Sequence, residues 1–191
     1  MKFEVHGLAI AAAALAIGCT TIPTEAQLRS AAEHSAATLE NSVAIAKFSR
    51  EGLRGADELQ RSFRLGSEAD ATLLRDQIPA ASQSAFSASQ AFYTSSAAGG
   101  VRKIWVSRTL AISPEGHRLS IETLKVEFSP PGCPTESTLQ SALSAQPHFT
   151  GVTDISDRVS FEVHGDQNSA ASVDLPLGSC TVFVSRTAVL A

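Results

Sequence analysis

Charged residues are scarce in this sequence. Lysine, arginine, aspartate and glutamate together make up 18% of the 191 residues, and the formal net charge is −4. A dedicated nucleic-acid-binding protein usually has a strongly basic surface, so this mildly acidic chain is not expected to bind nucleic acid. The same low charge, combined with 43% hydrophobic residues, excludes a disordered protein. The length fits one domain of ordinary size, or two small ones, and suffices for a folded core.

Sequence motifs of enzymes and metal sites are also lacking. The chain has no GxSxG elbow, HExxH helix, Walker loop or GxGxxG turn. Glu162 and His164 fall on one side of a predicted strand, where a polar solvent face is the default. The histidines after His6 lie far apart and lack the spacing of metal ligands: His34, His117, His148 and His164. We therefore predict a non-enzymatic protein without a metal or other cofactor.

The amino terminus has no apolar run long enough to cross a membrane. The run from Leu8 to Ile17 would span only ~15 Å as a helix, whereas a bilayer core needs about 20 apolar residues. It follows a weakly positive start, in which Lys2 is diluted by Glu4, and it precedes small residues. This pattern is typical of a signal peptide, which we assign to residues 1–18.

The end of that run, Ala16-Ile17-Gly18-Cys19, resembles the lipobox of bacterial lipoproteins. The resemblance implies cleavage before Cys19, a diacylglycerol on its thiol, acylation of the new amino terminus and a lipidated tether over 19–24. The residue after Cys19 is Thr20 and not Asp. In this respect the chain resembles Gram-negative lipoproteins that are delivered to the outer membrane rather than kept at the inner one. Two or three acyl chains would hold the protein firmly, because each buried methylene contributes about 0.8 kcal/mol. An ordinary secreted protein cut nearby is the alternative.

Cys133 and Cys180 remain as an even pair once Cys19 is lipidated. In an oxidising compartment such a pair favours a disulfide. Closing the loop between them would stabilise the fold by up to ~4 kcal/mol on the chain-entropy model. A metal site is the alternative, but the chain lacks a CxxC motif and a nearby histidine pair.

The composition changes at Gly99-Gly100, which separates a helical segment, 25–98, from a strand-rich region, 101–191. A first helix should begin near Thr24. Its buried stripe should contain Leu28, Ala32, Leu39, Val43 and Ala46. After Ser49 the apolar positions move to the opposite side of an ideal helix, so we predict a break between Ser49 and Gly52. They include Phe48, Ala56, Leu59 and Phe63.

A third helix is predicted from Glu68, kinked or divided at Pro79. It leads into an uncharged segment, 77–101, which is rich in small residues. We consider two roles for this segment: burial between helix and sheet, or a docking face for another protein.

The strand-rich region predicts a disulfide-stapled antiparallel sheet of about five strands with one inserted helix, in the order ββαβββ. A type I turn at 113–116 joins the first two strands, with Pro and Gly at favoured positions. Short links favour antiparallel pairing with helices on one face, an α+β fold. The predicted strands cover 103–112, 118–128, 158–164, 170–175 and 180–190, and the helix covers 134–145.

The peptide Val-Ser-Arg-Thr occurs twice, at 106–109 and 184–187, each time inside a predicted strand. Two such strands side by side would place Arg108 and Arg186 on one surface. Chance repetition in a chain rich in Arg and Ser is the other interpretation.

Five basic residues fall within a stripe of ~100° on an ideal helix. Asp57 lies in the stripe and could pair with Arg54 and Arg61. We predict either a solvated face with internal ion pairs or a contact with an anionic surface, such as lipid headgroups, cell-wall polymer or an acidic partner. The five residues are Lys47, Arg50, Arg54, Arg61 and Arg64.

Together these features predict an α+β body that is tethered by the Cys19 lipid to a bacterial membrane, the outer one rather than the inner one, and that faces the periplasm. The leading hypothesis is a non-enzymatic envelope protein that binds or scaffolds a protein partner through segment 77–101 or the sheet. A small ligand-binding or enzyme-inhibitor module is the alternative, and a concave apolar pocket on the sheet would favour it.

Overall fold

An antiparallel sheet of seven strands organises the parts of the chain that the computed structural model describes: residues 24–65, 78, 86–90, 100–146, 149–164 and 168–190. Three helices accompany it: α1 (Glu25–Glu51), α2 (Ala56–Ser62) and α3 (Glu136–Ser144). The strands are β1 (Phe86–Gln90), β2 (Val101–Ile112), β3 (Arg118–Phe128), β4 (Phe149–Ile155), β5 (Arg158–His164), β6 (Ser169–Pro176) and β7 (Thr181–Val189). The predicted α+β class and antiparallel sheet are confirmed.

The strands lie in the order β1-β2-β3-β7-β6-β5-β4, so that β7 returns to pair with β3 at the centre of the sheet. The β2–β3 turn forms as predicted, with the Gly116 amide donating to the Ser113 carbonyl at 2.9 Å. Helix α3 is the predicted inserted helix. The sheet has two strands more than expected, because β1 and β4 complete its edges.

Strand β1 corrects the prediction that residues 25–98 are helical. Phe86–Gln90 pairs antiparallel with β2, from Ile104 to Arg108. The edge of β2 offers these residues a hydrogen-bonding partner, and such tertiary pairing overrides the helix propensity of Ala and Gln. The predicted start of a third helix at Glu68 and its kink at Pro79 lie outside the described residues, as does most of segment 77–101.

Alternation along the strands gives the sheet an inner face, covered by helices, and an outer face. Leu124 and Val126 on β3 and Val184 on β7 point inward and are fully buried, together with Phe161 on β5. Helices α1 and α3 lie against this inner face and contribute Ile45, Phe48, Leu139 and Leu143 to the same core.

Helix α1 begins and ends where the sequence places its caps. Thr24 and Gln27 form a capping box, in which the Gln27 amide donates to Thr24 Oγ1 at 3.3 Å and the Thr24 amide to Gln27 Oε1 at 2.8 Å. The helix stops at Glu51, and Gly52 follows with a φ of 70°. The predicted break between Ser49 and Gly52 is therefore confirmed.

The prediction of the buried face of α1 is wrong for its three large side chains. Leu28, Leu39 and Val43 are 56%, 49% and 52% exposed. Ala32 is also exposed, so Ala46 is the one residue of the predicted stripe that is buried. The helix instead turns Ala44, Ile45 and Phe48 toward the sheet, because apolar residues occur on both of its sides. All of residues 25–36 are exposed, and we call this part of α1 the arm.

Cys133 and Cys180 form the predicted disulfide, with their Cα atoms 5.1 Å apart. It joins the segment after the 3-10 turn Pro130–Gly132 to the start of β7. Asn41 of α1 donates to the Gly132 carbonyl at 2.8 Å, so α1 is tied to the stapled segment. No helix among the described residues is both long and apolar enough to cross a membrane.

Candidate functional site: a buried charged row and the exposed apolar surfaces

Three charged residues occupy one cross-strand row of the inner face. Arg108 on β2 faces Glu122 on β3, and Glu122 faces Arg186 on β7. Arg108 donates from Nε at 2.9 Å and from Nη2 at 2.6 Å to Glu122 Oε1. Arg186 donates from Nη1 to Glu122 Oε2 at 3.3 Å. The side chains of Arg108 and Glu122 are 4% and 5% exposed, so this is a buried ion-pair row.

The loop between α1 and α2 covers this row with its backbone. The Leu53 amide donates to Glu122 Oε2 at 3.1 Å, and the Leu53 carbonyl accepts from Arg108 Nη2 at 2.8 Å. Gly52 lies so close that a Cβ on it would be well under 3.0 Å from Glu122 Oε2. The row therefore fixes the end of α1 to the middle of the sheet.

Two guanidinium groups share one carboxylate in this row. Arg186 Nε is buried and has no hydrogen-bond partner among the described residues. The carboxyl end of α1 lies directly above, and the partial negative charge of a helix end stabilises nearby cations. Both oxygens of Glu122 already accept hydrogen bonds, so the row serves to hold the helices on the sheet.

The repeated Val-Ser-Arg-Thr peptide supplies both arginines of the row. Its two copies lie in β2 and β7, which are separated by β3 rather than adjacent. Arg108 and Arg186 nevertheless lie on one surface, because both strands pair with β3 in matching register. Sequence reasoning missed Glu122, although its position inside an apolar strand was an available signal.

The five predicted basic residues do not form one continuous stripe, since α1 ends at Glu51 and the chain turns before α2. Four of them pair with carboxylates. Lys47 Nζ lies 2.6 Å from Glu58 Oε1, and Arg64 Nη2 lies 2.7 Å from Glu40 Oε1. Arg50 and Arg54 both pair with Glu51. Arg61 is exposed on α2. This arrangement favours a solvated face with internal ion pairs over an anion-binding surface.

The cations around Glu51 lower the pKa of its carboxyl group. The hydrogen bond from Arg50 lowers the pKa of the Glu51 carboxyl below its ordinary value, and the positive charges of Arg54, Arg50 and Lys47 lower it further. Partial burial opposes this shift. Glu51 is therefore ionised across the physiological pH range and holds the start of the loop that covers the charged row.

One exposed apolar surface follows the solvent side of α1. Leu28 lies on the arm, and Leu39 and Val43 continue the same side along the body. Leu39 and Val43 border an open cavity of about 330 Å³, whose other walls include Lys47 and Arg64. Both cations are already paired, so the cavity carries little free charge.

A second apolar surface lies on the inner face at the far end of the sheet, which we call the tip: Leu110, Ile112 and Leu190, with Arg118 among them. Ile112 is 75% exposed, and Leu110 and Leu190 are 39% and 37% exposed. Arg118 pairs in register with Ile112, and its carbonyl accepts from the Leu190 amide at 2.8 Å. These inner-face positions extend past the charged row, beyond the end of the helical layer.

The outer face of the sheet is largely polar. Lys125 Nζ lies 4.3 Å from the centre of the Trp105 ring and 5.4 Å from that of Phe183, so the lysine already occupies the space between both rings. Elsewhere an open cavity of about 330 Å³ is bordered by Glu162, His164 and small hydroxyl side chains. No set of three His, Cys, Asp or Glu side chains in the described ranges is arranged to hold a metal ion.

Comparison of the chain with protein-family models, with curated proteins and with solved structures finds no match.

Proposed function

We propose that the protein is a lipid-anchored, non-enzymatic binding or scaffold component of the bacterial cell envelope, held at the outer membrane through Cys19. The observation that supports this most directly is the arm, residues 25–36, which extends from the body with every residue exposed. The arm directly follows the tether, 19–24, that the lipobox resemblance implies.

The arm suits a protein that is held near a membrane while its body stays clear of it. Its twelve residues are about 18 Å long as a helix, which is a substantial part of the thickness of a small domain. The arm carries Glu25, Arg29 and Glu33, so it lacks the positive charge that would draw a helix onto anionic lipids. We infer that the arm is a spacer and that the lipid provides the membrane attachment.

A binding role also agrees with the chemistry of the described surfaces. The buried Arg–Glu–Arg row is closed by the α1–α2 loop, and its groups already bond to one another. The exposed features are apolar surfaces on α1 and at the tip. Lipid attachment would raise the local concentration of such a protein for any partner in the same membrane.

The ligand-binding or inhibitor alternative has weaker support. It requires a concave apolar pocket on the sheet. The outer-face cavity beside Glu162 and His164 is open and lined by polar and small side chains, and the one beside Leu39 and Val43 lies on the helices.

The anchor is tested by fractionation of cells that express the full chain. The Cys19→Ser variant should leave the membrane fraction, and the wild-type protein should incorporate labelled fatty acid. Thr20→Asp should move the protein from the outer to the inner membrane, and Thr21→Asp serves as the matched control. Membrane association that persists in Cys19→Ser would refute the lipid anchor.

A further inference from the structure

We propose that the tip is the docking surface of this protein, and that its partner is another protein that presents apolar side chains together with a carboxylate that pairs with Arg118. The inference deepens the proposed function, because the lipid anchor sets the orientation of the tip. The tip is exposed, carries Arg118 at its centre and lies at the end of the sheet opposite the arm.

The tip gathers three of the large hydrophobic side chains that the described residues expose, at the end of β2 and just after β7. Two of them, Ile112 and Leu190, flank the backbone of Arg118. Clustered exposed apolar side chains on a soluble surface commonly mark an interaction site, whereas scattered ones are ordinary. The cluster continues the inner face of the sheet where no described helix covers it.

Arg118 supplies the charge complementarity that identifies the partner's chemistry. It is exposed among apolar side chains and forms no ion pair with any carboxylate that the structure describes. Glu127 and Glu122, on the same strand, are both paired. A carboxylate on the partner would give Arg118 the bidentate bond that arginine forms best.

The position of the tip distinguishes a protein partner from the anchoring membrane. Asn41 contacts Gly132, just beyond one end of β3, and Leu53 contacts Glu122 in its middle, so α1 runs toward the tip. The arm consequently extends from the opposite end of the sheet. Sixteen residues of α1 lead from Glu25 to Asn41, and ten residues of β3 lead back from Phe128 to Arg118. Added together, these two lengths separate Glu25 from Arg118 by on the order of 50 Å. The membrane that holds Cys19 lies on the far side of the body.

Photo-cross-linking in intact cells tests this inference. A photoreactive amino acid replaces Ile112 in the full chain, or Leu177 in the control. Leu177 is also a highly exposed apolar residue, at 62%, but it lies in the β6–β7 turn at the arm end of the sheet. We expect a discrete adduct from position 112, lost by at least tenfold when Arg118→Glu is added, and no such adduct from position 177.

A charge exchange then decides whether the adduct reports the proposed contact. The cross-linked segment of the partner should contain apolar residues and an Asp or Glu. Replacement of that acidic residue by Arg should restore the adduct in the Arg118→Glu variant of this chain. Adducts that form equally at 112 and 177, that join two copies of this chain, or that charge exchange does not restore would overturn the inference. Because Cys19→Ser fractionation is read separately, failure of the anchor and failure of the tip are distinguishable.

Discussion

The Glu122 carboxylate on β3 accepts two hydrogen bonds from Arg108 on β2, and both side chains are buried beneath the loop that follows α1. This pair, extended by Arg186, is the polar contact that joins the helical layer to the centre of the sheet. The same carboxylate accepts the Leu53 amide, so a change at Glu122 affects side chains and backbone together.

Glu122→Gln should lower the free energy of unfolding by about 3–5 kcal/mol, because it removes the buried carboxylate to which the guanidinium groups of Arg108 and Arg186 both bond. Glu127→Gln is the matched control: it lies on the outer face of the same strand, where Glu127 pairs with Lys125 in a partly exposed position. That change should cost at most about 1 kcal/mol. Urea unfolding of both variants measures the difference, and equal losses would show that the buried row contributes no special stability.

Gly52→Ala should destabilise the protein by at least about 3 kcal/mol. Gly52 has a φ of 70° and a ψ of −164°, a conformation nearly restricted to glycine, and an added Cβ would collide with Glu122 and Arg186. Gly116→Ala separates these two causes, since Gly116 has a φ of 86° but nothing within 4 Å of its added Cβ. We expect about 1 kcal/mol for that control by thermal unfolding. A loss at Gly52 no larger than at Gly116 would contradict the close contact.

Much of the sheet could be predicted from local pattern alone. The alternation of β3 and β5, the Pro-Glu-Gly turn and the Cys133–Cys180 pair each depend on residues close in sequence or on simple parity. Strand β1 could not be predicted, because Phe86–Gln90 becomes a strand only through pairing with β2. Its own composition favours a helix.

The faces of α1 show a second limit of sequence reasoning. Apolar residues occur on both sides of this helix, and periodicity gives no basis for choosing which side meets the sheet. The polar contacts decide it, since Asn41 bonds to Gly132 and Leu53 to Glu122 across long sequence separations. The charged row was predictable only in part: the repeated peptide indicated Arg108 and Arg186, but Glu122 required the strand order.

Reduction of the disulfide should lower the free energy of unfolding by about 4 kcal/mol, given a sequence separation of 47 residues. The measurement is urea unfolding with and without dithiothreitol, in a Cys19→Ser background so that no third thiol interferes. The variant that also carries Cys133→Ser and Cys180→Ser should be less stable and insensitive to the reductant. Unchanged stability of the reduced protein would mean that the loop stays ordered without the bond.

Glu51→Gln should remove part of the pH dependence of stability. The folded-state pKa of Glu51 is lowered, chiefly by its hydrogen bond with Arg50, so its contribution is full above the unfolded value of about 4.3 and is lost as the pH falls through the folded pKa. The wild type should therefore exceed Glu51→Gln in urea midpoint at pH 7, and the two should converge in more acidic solution. Added salt should narrow the gap at pH 7, because the cations act partly through space. A gap that persists unchanged at acidic pH would contradict this account of Glu51.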